Sequence, residues 1–494
     1  MNILILLPVL IPMATIIMLL FLSGSKRLMQ ILGIGGIAFQ LLAAISIFQK
    51  VILEGIQVVQ LGNWPAPFGI TFVADIFSAV MLIMSGLVGL MIAIYSVSSI
   101  DKFRQRFSYF ALVNALLMGV NGAFLTGDIF NLYVWFEVMI LASFVLLTMG
   151  GSRPQMDGAI KYVTMNLISS MLFLAGIGLL YGKAGTLNMA DLAVKIGESN
   201  ESLLLNSSAM LFFVAFGIKA AIFPFFFWLP ASYHTPPIAI TALFSGLLTK
   251  VGIYAMIRFF TLFFVQNQNF WHPLLLVLGG LTMVVGVLTA SSQFDIRKIL
   301  SFHIVSQIGY MLMGLGLFTV LGIAGAIFYM VHNIIAKTNT FLISGIINRV
   351  KGTYELKAIG GLYKSHPLLA ILFIVAAFGL AGIPPLSGFV GKLLLIQAGF
   401  SDQNYLITAI AILVGLFTLF SMIKIWNEAF WKKQPGDISN STIPVPVSMM
   451  LPVVVLALGT IALGVFAEYF VGISMQAAEQ LINPEQYINT VLGR

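Results

Sequence analysis

Apolar runs of about 20 residues recur along this chain, each long enough to cross the hydrocarbon of a bilayer as a helix. Lipid offers no hydrogen-bond partner to a free backbone, so a chain built of such runs folds as a helix bundle. Composition agrees. Of 494 residues, 60% are hydrophobic and 9% charged, against roughly 25% charged in a soluble chain. A soluble protein of this size would have almost no polar surface. The 46 Gly and 18 Pro also suit membrane helices, in which both are commoner than in soluble ones.

The expected fold is an all-α polytopic membrane protein with about fourteen spans. Their limits are 3–22, 28–49, 74–98, 107–126, 128–149, 160–181, 209–230, 238–264, 273–291, 298–317, 321–347, 367–399, 406–430 and 448–470. The first run is read as a retained helix: its positive charges, Lys26 and Arg27, follow it, whereas those of a secretory signal precede it. Assigning alternate loops to opposite sides sorts the cations sharply. Fifteen Lys and Arg fall on one side, among them Lys26, Arg27, Arg104, Arg106, Arg297 and Arg349; four, Lys50, Lys183, Lys195 and Arg494, fall on the other. The basic side is expected to be cytoplasmic, in a bacterial cell membrane, with both termini outside.

Several classes are excluded. With no cysteine, disulfides and thiolate metal ligands are impossible. No Walker loop, dinucleotide fingerprint or HExxH is found, and none of the five histidines is paired at metal or haem spacing. No cofactor and no metal site is expected. The formal charge of +8 is accounted for by orientation, and no soluble basic domain exists to hold nucleic acid. The longest loops, roughly 50–73, 182–208 and 348–366, are too short for a catalytic domain.

Six cations remain within the spans: Lys219, Lys250, Arg258, Lys337, Lys392 and Lys424. Glu137 is the one acid read as equally deep. Each buried cation costs roughly 2.5–3.5 kcal/mol on insertion scales, so intramembrane charge points to function. Two spans are also interrupted, one at Pro224 and one at Pro384-Pro385. Proline removes a backbone donor and clashes with the preceding turn. Two broken helices in corresponding positions indicate a transporter with internal repeats. The chain then divides into helices 1–3 (1–106), a first five-helix repeat (107–264), a second, inverted one (273–430), and a last helix with its tail (448–494).

The side chains suggest a path. Lys219, one turn before Pro224, has Glu137 as its natural partner. A pair that opens and closes would switch the lysine between holding and releasing a proton; the competing reading is a static ion pair. Lys250 adjoins Thr241, Ser245 and Thr249, a polar stripe spaced for one helix face. The stripe lines a hydrated path, or else its hydroxyls bond their own backbone. His332 and Lys337 share a span with Asn333 and Asn339, and histidine suits a relay. His303 and Gln307, with Ser306, form a polar face of a possible inlet, although His303 lies close enough to the cytoplasmic end to be solvated. Lys392 follows the second break. Lys424 and Arg258 lie near span ends and are expected to reach toward water.

These residues sit in wording that resembles a known family. Phe216-Gly-Ile-Lys-Ala-Ala-Ile-Phe-Pro-Phe-Phe-Phe-Trp-Leu-Pro230, His234-Thr-Pro-Pro and Ser245-Gly-Leu-Leu-Thr-Lys-Val-Gly-Ile-Tyr254 are similar to the antiporter-like subunits of respiratory complex I and of Mrp-type cation/proton antiporters. So are Asp295-Ile-Arg-Lys-Ile-Leu-Ser, Ser306-Gln-Ile-Gly-Tyr310 and Gly382-Ile-Pro-Pro-Leu-Ser-Gly-Phe-Val-Gly-Lys392. The resemblance implies inverted five-helix repeats with proton half-channels, Glu137 pairing with Lys219, and a relay from Lys250 through His332 and Lys337 to Lys392. It implies partner subunits, with protons and sodium as the transported ions. Length and wording favour the Mrp branch: Lys392 stands where one complex I subunit type carries glutamate, and only about 24 residues follow Phe470. Two rivals are a complex I-type pump and a structural subunit whose polar row glues helices together.

Overall fold

The computed structural model describes residues 3–21, 25–106, 108–198, 203–435 and 444–493. Leu22 and Arg494, used in the expectations above, lie outside the described residues, as does the side chain of Arg106. The elements are α1 (Ile3–Phe21), α2 (Lys26–Glu54), α3 (Ile76–Ser99), α4 (Tyr109–Leu125), α5 (Ile129–Thr148), α6 (Arg153–Ala184), α7 (Leu203–Tyr233), α8 (Ile238–Leu262), α9 (Gln268–Ser292), α10 (Ile296–Leu317) and α11 (Val320–Lys351). They continue with α12 (Pro367–Ala381), α13 (Ser387–Ser401), α14 (Tyr405–Trp431), α15 (Val447–Val465), α16 (Ala467–Ile482) and α17 (Glu485–Leu492). Helix is found at every stretch expected to span. Among the described residues twelve helices are long and apolar enough to cross a membrane, and α4 and α12 are shorter apolar helices.

Side chains of the flanking turns start these helices. Asp75 accepts from the Ser78 N–H while the Ser78 hydroxyl accepts from the Asp75 N–H, a reciprocal cap that opens α3. Asp128, Asp295 and Thr319 cap α5, α10 and α11 in the simpler way. Gly352, at φ 75°, ends α11 in a left-handed turn that a side chain would resist.

Burial shows where the core lies. The most apolar windows of α8, α10 and α11 are 100%, 94% and 89% buried, whereas those of α1, α2 and α6 are 39% buried. The outer helices leave large apolar side chains such as Phe39, Leu141, Met171 and Phe420 exposed to lipid. The polar side chains that sequence singled out are concentrated on the three central helices and on the two breaks that pack around them.

The stretches 50–73 and 182–198 contain regular structure. Gln57–Gln60 pairs antiparallel with Thr71–Ala74, Gln57 opposite Ala74, and Met189–Gly197 is a short helix. The last span ends at Val465, earlier than the expected 470. There the helix breaks at Phe466 (φ −95°, ψ 34°), and α16 packs along α11 and α3, with Gln480 reaching the Ile76 N–H at the start of α3. Its apolar residues Ala477, Ala478 and Leu481 are buried, as are Tyr487 and Val491 of α17. The terminal segments and the hairpin therefore cover one end of the bundle.

That end also holds a charge pair that corrects the expectation for Arg258. Arg258 does not reach toward water. Its guanidinium is 2.6 Å from the Asp75 carboxylate, donates to the Tyr254 hydroxyl at 3.1 Å, and lies against the rings of Phe77, Tyr254 and Tyr487. Asp75 immediately precedes α3 and caps it as well; sequence reasoning passed over it. Together the two side chains fasten α3, α8 and α17. Removing one partner leaves the other charge buried and alone, which typically costs ~3–5 kcal/mol. Arg258→Met is expected to lower the melting temperature of the purified protein strongly, and Asp75→Asn in the same chain to restore part of the loss. Equal stability of the single variant and the parent would show that the pair holds nothing together.

Candidate functional site

At the first break, the helix carrying Lys219 ends at Ala220. Ala221 turns left-handed at φ 58°, and the Phe223–Pro224 bond is cis. The backbone groups released here are taken up locally: Trp228 donates its indole N–H to the Ile218 carbonyl at 3.0 Å, and the Phe223 N–H donates to the Thr282 hydroxyl at 3.0 Å. Lys219 is 4% exposed. Its ammonium lies 4.8 Å from the centre of the Phe136 ring and has no hydrogen-bond partner among the described residues. Glu137, next to Phe136, forms no ion pair with it here, although its charge reaches the lysine. Glu137 is half-buried, with one carboxylate oxygen enclosed and unbonded. The expected pair is thus adjacent and open.

Lys250 owes its position to a local irregularity. Phe244–Leu248 is a π-helical turn within α8, an element often found at functional positions. Wider winding frees the Ser245 carbonyl, which accepts from the Lys250 ammonium at 2.6 Å. It also breaks the even spacing assumed for Thr241, Ser245 and Thr249. Thr241 donates to the Tyr233 carbonyl and Ser245 to the Ala242 carbonyl, so both hydroxyls are bonded to backbone. The Thr249 hydroxyl is buried and has no partner among the described residues.

On α11, Lys337, His332, Asn333 and Asn339 are fully enclosed. The Lys337 ammonium, both amide atoms of Asn333 and the neighbouring Thr338 hydroxyl have no partner among the described residues. Lys337 senses the charges of Lys250 and Lys392, and His332 those of Lys392 and Lys337. The His332 ring nitrogen Nδ1 meets the Ser387 hydroxyl at 2.7 Å, at the start of α13. His332 thus touches the start of the helix that carries Lys392, and Lys337 lies within electrostatic reach of both Lys250 and Lys392.

The second break separates α12 from α13 at Gly382–Leu386, with a cis bond between Pro384 and Pro385. The last carbonyls of a helix have no intrahelical partner and carry partial negative charge. Lys392 supplies both needs. From one turn into α13 its ammonium donates to the carbonyls of Leu380 and Ala381 at 3.0 and 2.9 Å, with the Tyr310 ring 5.1 Å away. Tyr310 lies at a tilt against Tyr329, which donates to Gln307 and lies against His332.

Two peripheral expectations change. His303 is fully buried, not solvated, and meets the Ser421 hydroxyl at 2.9 Å; the charges of Lys337, Lys392 and Lys424 reach it. Lys424 is half-buried, and its ammonium turns to backbone rather than standing free in water. It donates to the Ser291 and Gln293 carbonyls at 2.7 and 2.6 Å, closing the end of α9. Sequence reasoning passed over Ser387, Tyr329 and Ser421. Ser387 stood within the quoted Gly382–Lys392 motif. Tyr329 and Ser421 carried no signal, because an isolated hydroxyl in an apolar span looks like any helix–helix contact.

A membrane bundle with two broken helices and ionisable side chains at its core is the architecture of an ion transporter. Residues 126–418 match the family model described as NADH:quinone oxidoreductase/Mrp antiporter, TM. A relative from Alkalihalophilus pseudofirmus, named as the D subunit of a Na(+)/H(+) antiporter, is 48% identical over all of both chains. A chain in the structure of the Mrp complex from Dietzia sp. superposes over all of both chains with a TM-score of 0.93 at 33% identity. One in respiratory complex I from Thermus thermophilus covers 100% of this chain and 99% of its own, at TM-score 0.84 and 23% identity, and so shares the fold. This chain belongs to the NADH:quinone oxidoreductase/Mrp antiporter family of membrane subunits.

The second break leaves no spare room. A Cβ on Gly388 would overlap the Gly379 carbonyl and come within 2.8 Å of the His332 ring. Gly388→Ala is expected to destabilise the protein by ~1–3 kcal/mol, the usual cost of overpacking, and to cut transport. An unchanged melting temperature would show that α12 and α13 part readily.

Proposed function

We propose that this chain is the D-type subunit of a multisubunit Na+/H+ antiporter and carries the proton part of the exchange. Protons pass along Lys219, Lys250, Lys337, His332 and Lys392, and the Glu137–Lys219 contact gates their entry. The observation that carries this reading is the row of buried polar atoms without a protein partner among the described residues: Lys219 Nζ, Thr249 Oγ1, Lys337 Nζ, Asn333 and His332 Nε2. Left dry, each costs ~1–3 kcal/mol. Water is the remaining partner in such a place, and lysines linked by water can exchange protons. His303, Gln307 and Ser245 border the same interior.

Like charges also argue for exchange. Lys337 senses the charges of both Lys250 and Lys392, and none of the three is in an ion pair among the described residues. Holding all three charged at once is unfavourable, so a proton on one disfavours a proton on the next. Opening and closing the Glu137 contact shifts the proton on Lys219 and, through the row, those beyond it.

The halves 107–264 and 273–430 are read as repeats of opposite topology, supported by the break in the fourth helix of each. Both termini lie outside, supported by the fifteen-to-four sorting of cations. The complex sits in the bacterial cell membrane, where the potential drives protons inward with about 2.3 kcal/mol per charge per 100 mV, and sodium leaves in exchange. The alternative of a complex I-type pump is weaker, since the likeness to the Mrp chain is greater in both identity and superposition.

The test uses the assembled complex in sealed vesicles. Lys219→Ala, Lys392→Ala and Glu137→Gln, made singly, are expected to reduce sodium-driven proton exchange at least ~10-fold while the complex assembles normally. Wild-type exchange in all three would refute the relay. Loss of assembly in step with loss of exchange would favour a structural role, and sodium-independent pumping linked to quinone would favour the complex I alternative.

A further inference from the structure

The basic end of the bundle contains a cavity of about 520 Å³ that the proton row does not use. Three guanidiniums line it, those of Arg104, Arg297 and Arg349, and no acidic side chain does. Each is held in place from behind. Arg104 donates its Nε to the Met149 carbonyl at 2.9 Å and pairs with Asp101. Arg297 lies 3.9 Å from the Tyr354 ring centre, with Asp295 at 3.7 Å. Arg349 donates to the Ser98 carbonyl at 3.3 Å and has no ion pair among the described residues.

The backbone adds to this charge. Four helices begin at the cavity wall: α6 at Ser152 and Gln155, α8 at Pro237 and Ile238, α10 at Arg297, and α15 near Met449. Helix N-termini carry partial positive charge and favour anions. Two helix C-termini, those of α3 and α11, also reach it and offset part of the effect. Two buried donors on the lining residues, the Ser99 hydroxyl and the Arg297 Nε, have no partner among the described residues. Three fixed guanidiniums, converging helix starts and unmatched donors make a poor site for a cation or an apolar group. They match an oxyanion with several acceptor oxygens, which arginine binds through paired N–H groups.

We infer that this cavity binds a phosphate group, either the headgroup of an anionic phospholipid or a free phosphate. Basic pockets between membrane helices at a bilayer surface suit lipid headgroups. The occupant ties α11, through Gly345, Asn348 and Arg349, to the starts of α6, α8 and α10. Lys337 lies eight residues from Gly345 on the same helix, roughly 12 Å along its axis. The site rests on charge and geometry at this end of the bundle and stands whether or not the lysine row carries protons.

The assembled complex in neutral detergent is titrated with short-chain phosphatidylglycerol, and separately with inorganic phosphate, following binding by thermophoresis. Saturable binding of the lipid alone identifies a headgroup site, and binding of both identifies a phosphate site. Arg349→Gln removes an exposed side chain with no ion pair, so the fold is expected to persist, and lipid affinity is expected to fall about tenfold, the loss of one charge-assisted contact. Arg297→Gln with Arg349→Gln is expected to abolish saturation, with native mass spectrometry reporting lost phospholipid adducts on intact complex. No saturable binding to the parent, or equal affinity in parent and Arg349→Gln, overturns the site.

Discussion

Hydrocarbon offers nothing to a bare carbonyl or an ammonium, and this structure follows from how the two are brought together. A helix broken at membrane depth exposes carbonyls; a lysine at the same depth needs acceptors. At the second break Lys392 and the carbonyls of Leu380 and Ala381 satisfy each other. Within α8 the π turn does the same for Lys250 with the Ser245 carbonyl. Each irregularity would be costly alone and each cation would be costly alone. Joined, they form fixed positions around which α8, α10 and α11 pack almost without exposure.

The remaining cations divide according to their partners. Arg258 has a carboxylate and three rings, and Lys424 has two carbonyls at the end of a helix. Those two are structural fasteners. Lys219 and Lys337 are equally enclosed but have no protein acceptor among the described residues. A group without a fixed partner is free to change its protonation or its hydration at small structural cost. Lack of a fixed acceptor thus sets Lys219 and Lys337 apart from the two fasteners, while Lys250 and Lys392 belong to the candidate path with backbone carbonyls as their acceptors.

The two ends of the molecule differ in the same physical way. The end bearing the termini is sealed by a hairpin, by α16 and α17, and by the Asp75–Arg258 pair. The basic end instead gathers the starts of several helices and three arginines around an open cavity. One end is closed by a buried charge pair, and the other presents three guanidiniums, two of them partly offset by Asp101 and Asp295, to whatever lies at the membrane surface.

Much of this was legible in the order of residues alone. Length and polarity of the apolar runs located the helices, since a span must reach across the hydrocarbon. Prolines located both breaks, and the depth of Lys219, Lys250, Lys337 and Lys392 marked the candidate path, because lone cations in apolar runs stand out. Partnership was not legible, because it depends on which helices meet. Asp75 and Arg258 are 183 positions apart and pair only when α3 lies beside α8. The π turn left no trace in composition, so the stripe from Thr241 to Thr249 was read on a regular helix that does not exist. Sequence assigns the tail no structure of its own, because what it packs on, α3 and α11 for α16 and the Met189–Gly197 helix for α17, is set by distant parts of the chain. Sequence by itself determined what had to be inside the membrane; tertiary structure decided which of the buried charges had an acceptor and which were left to water.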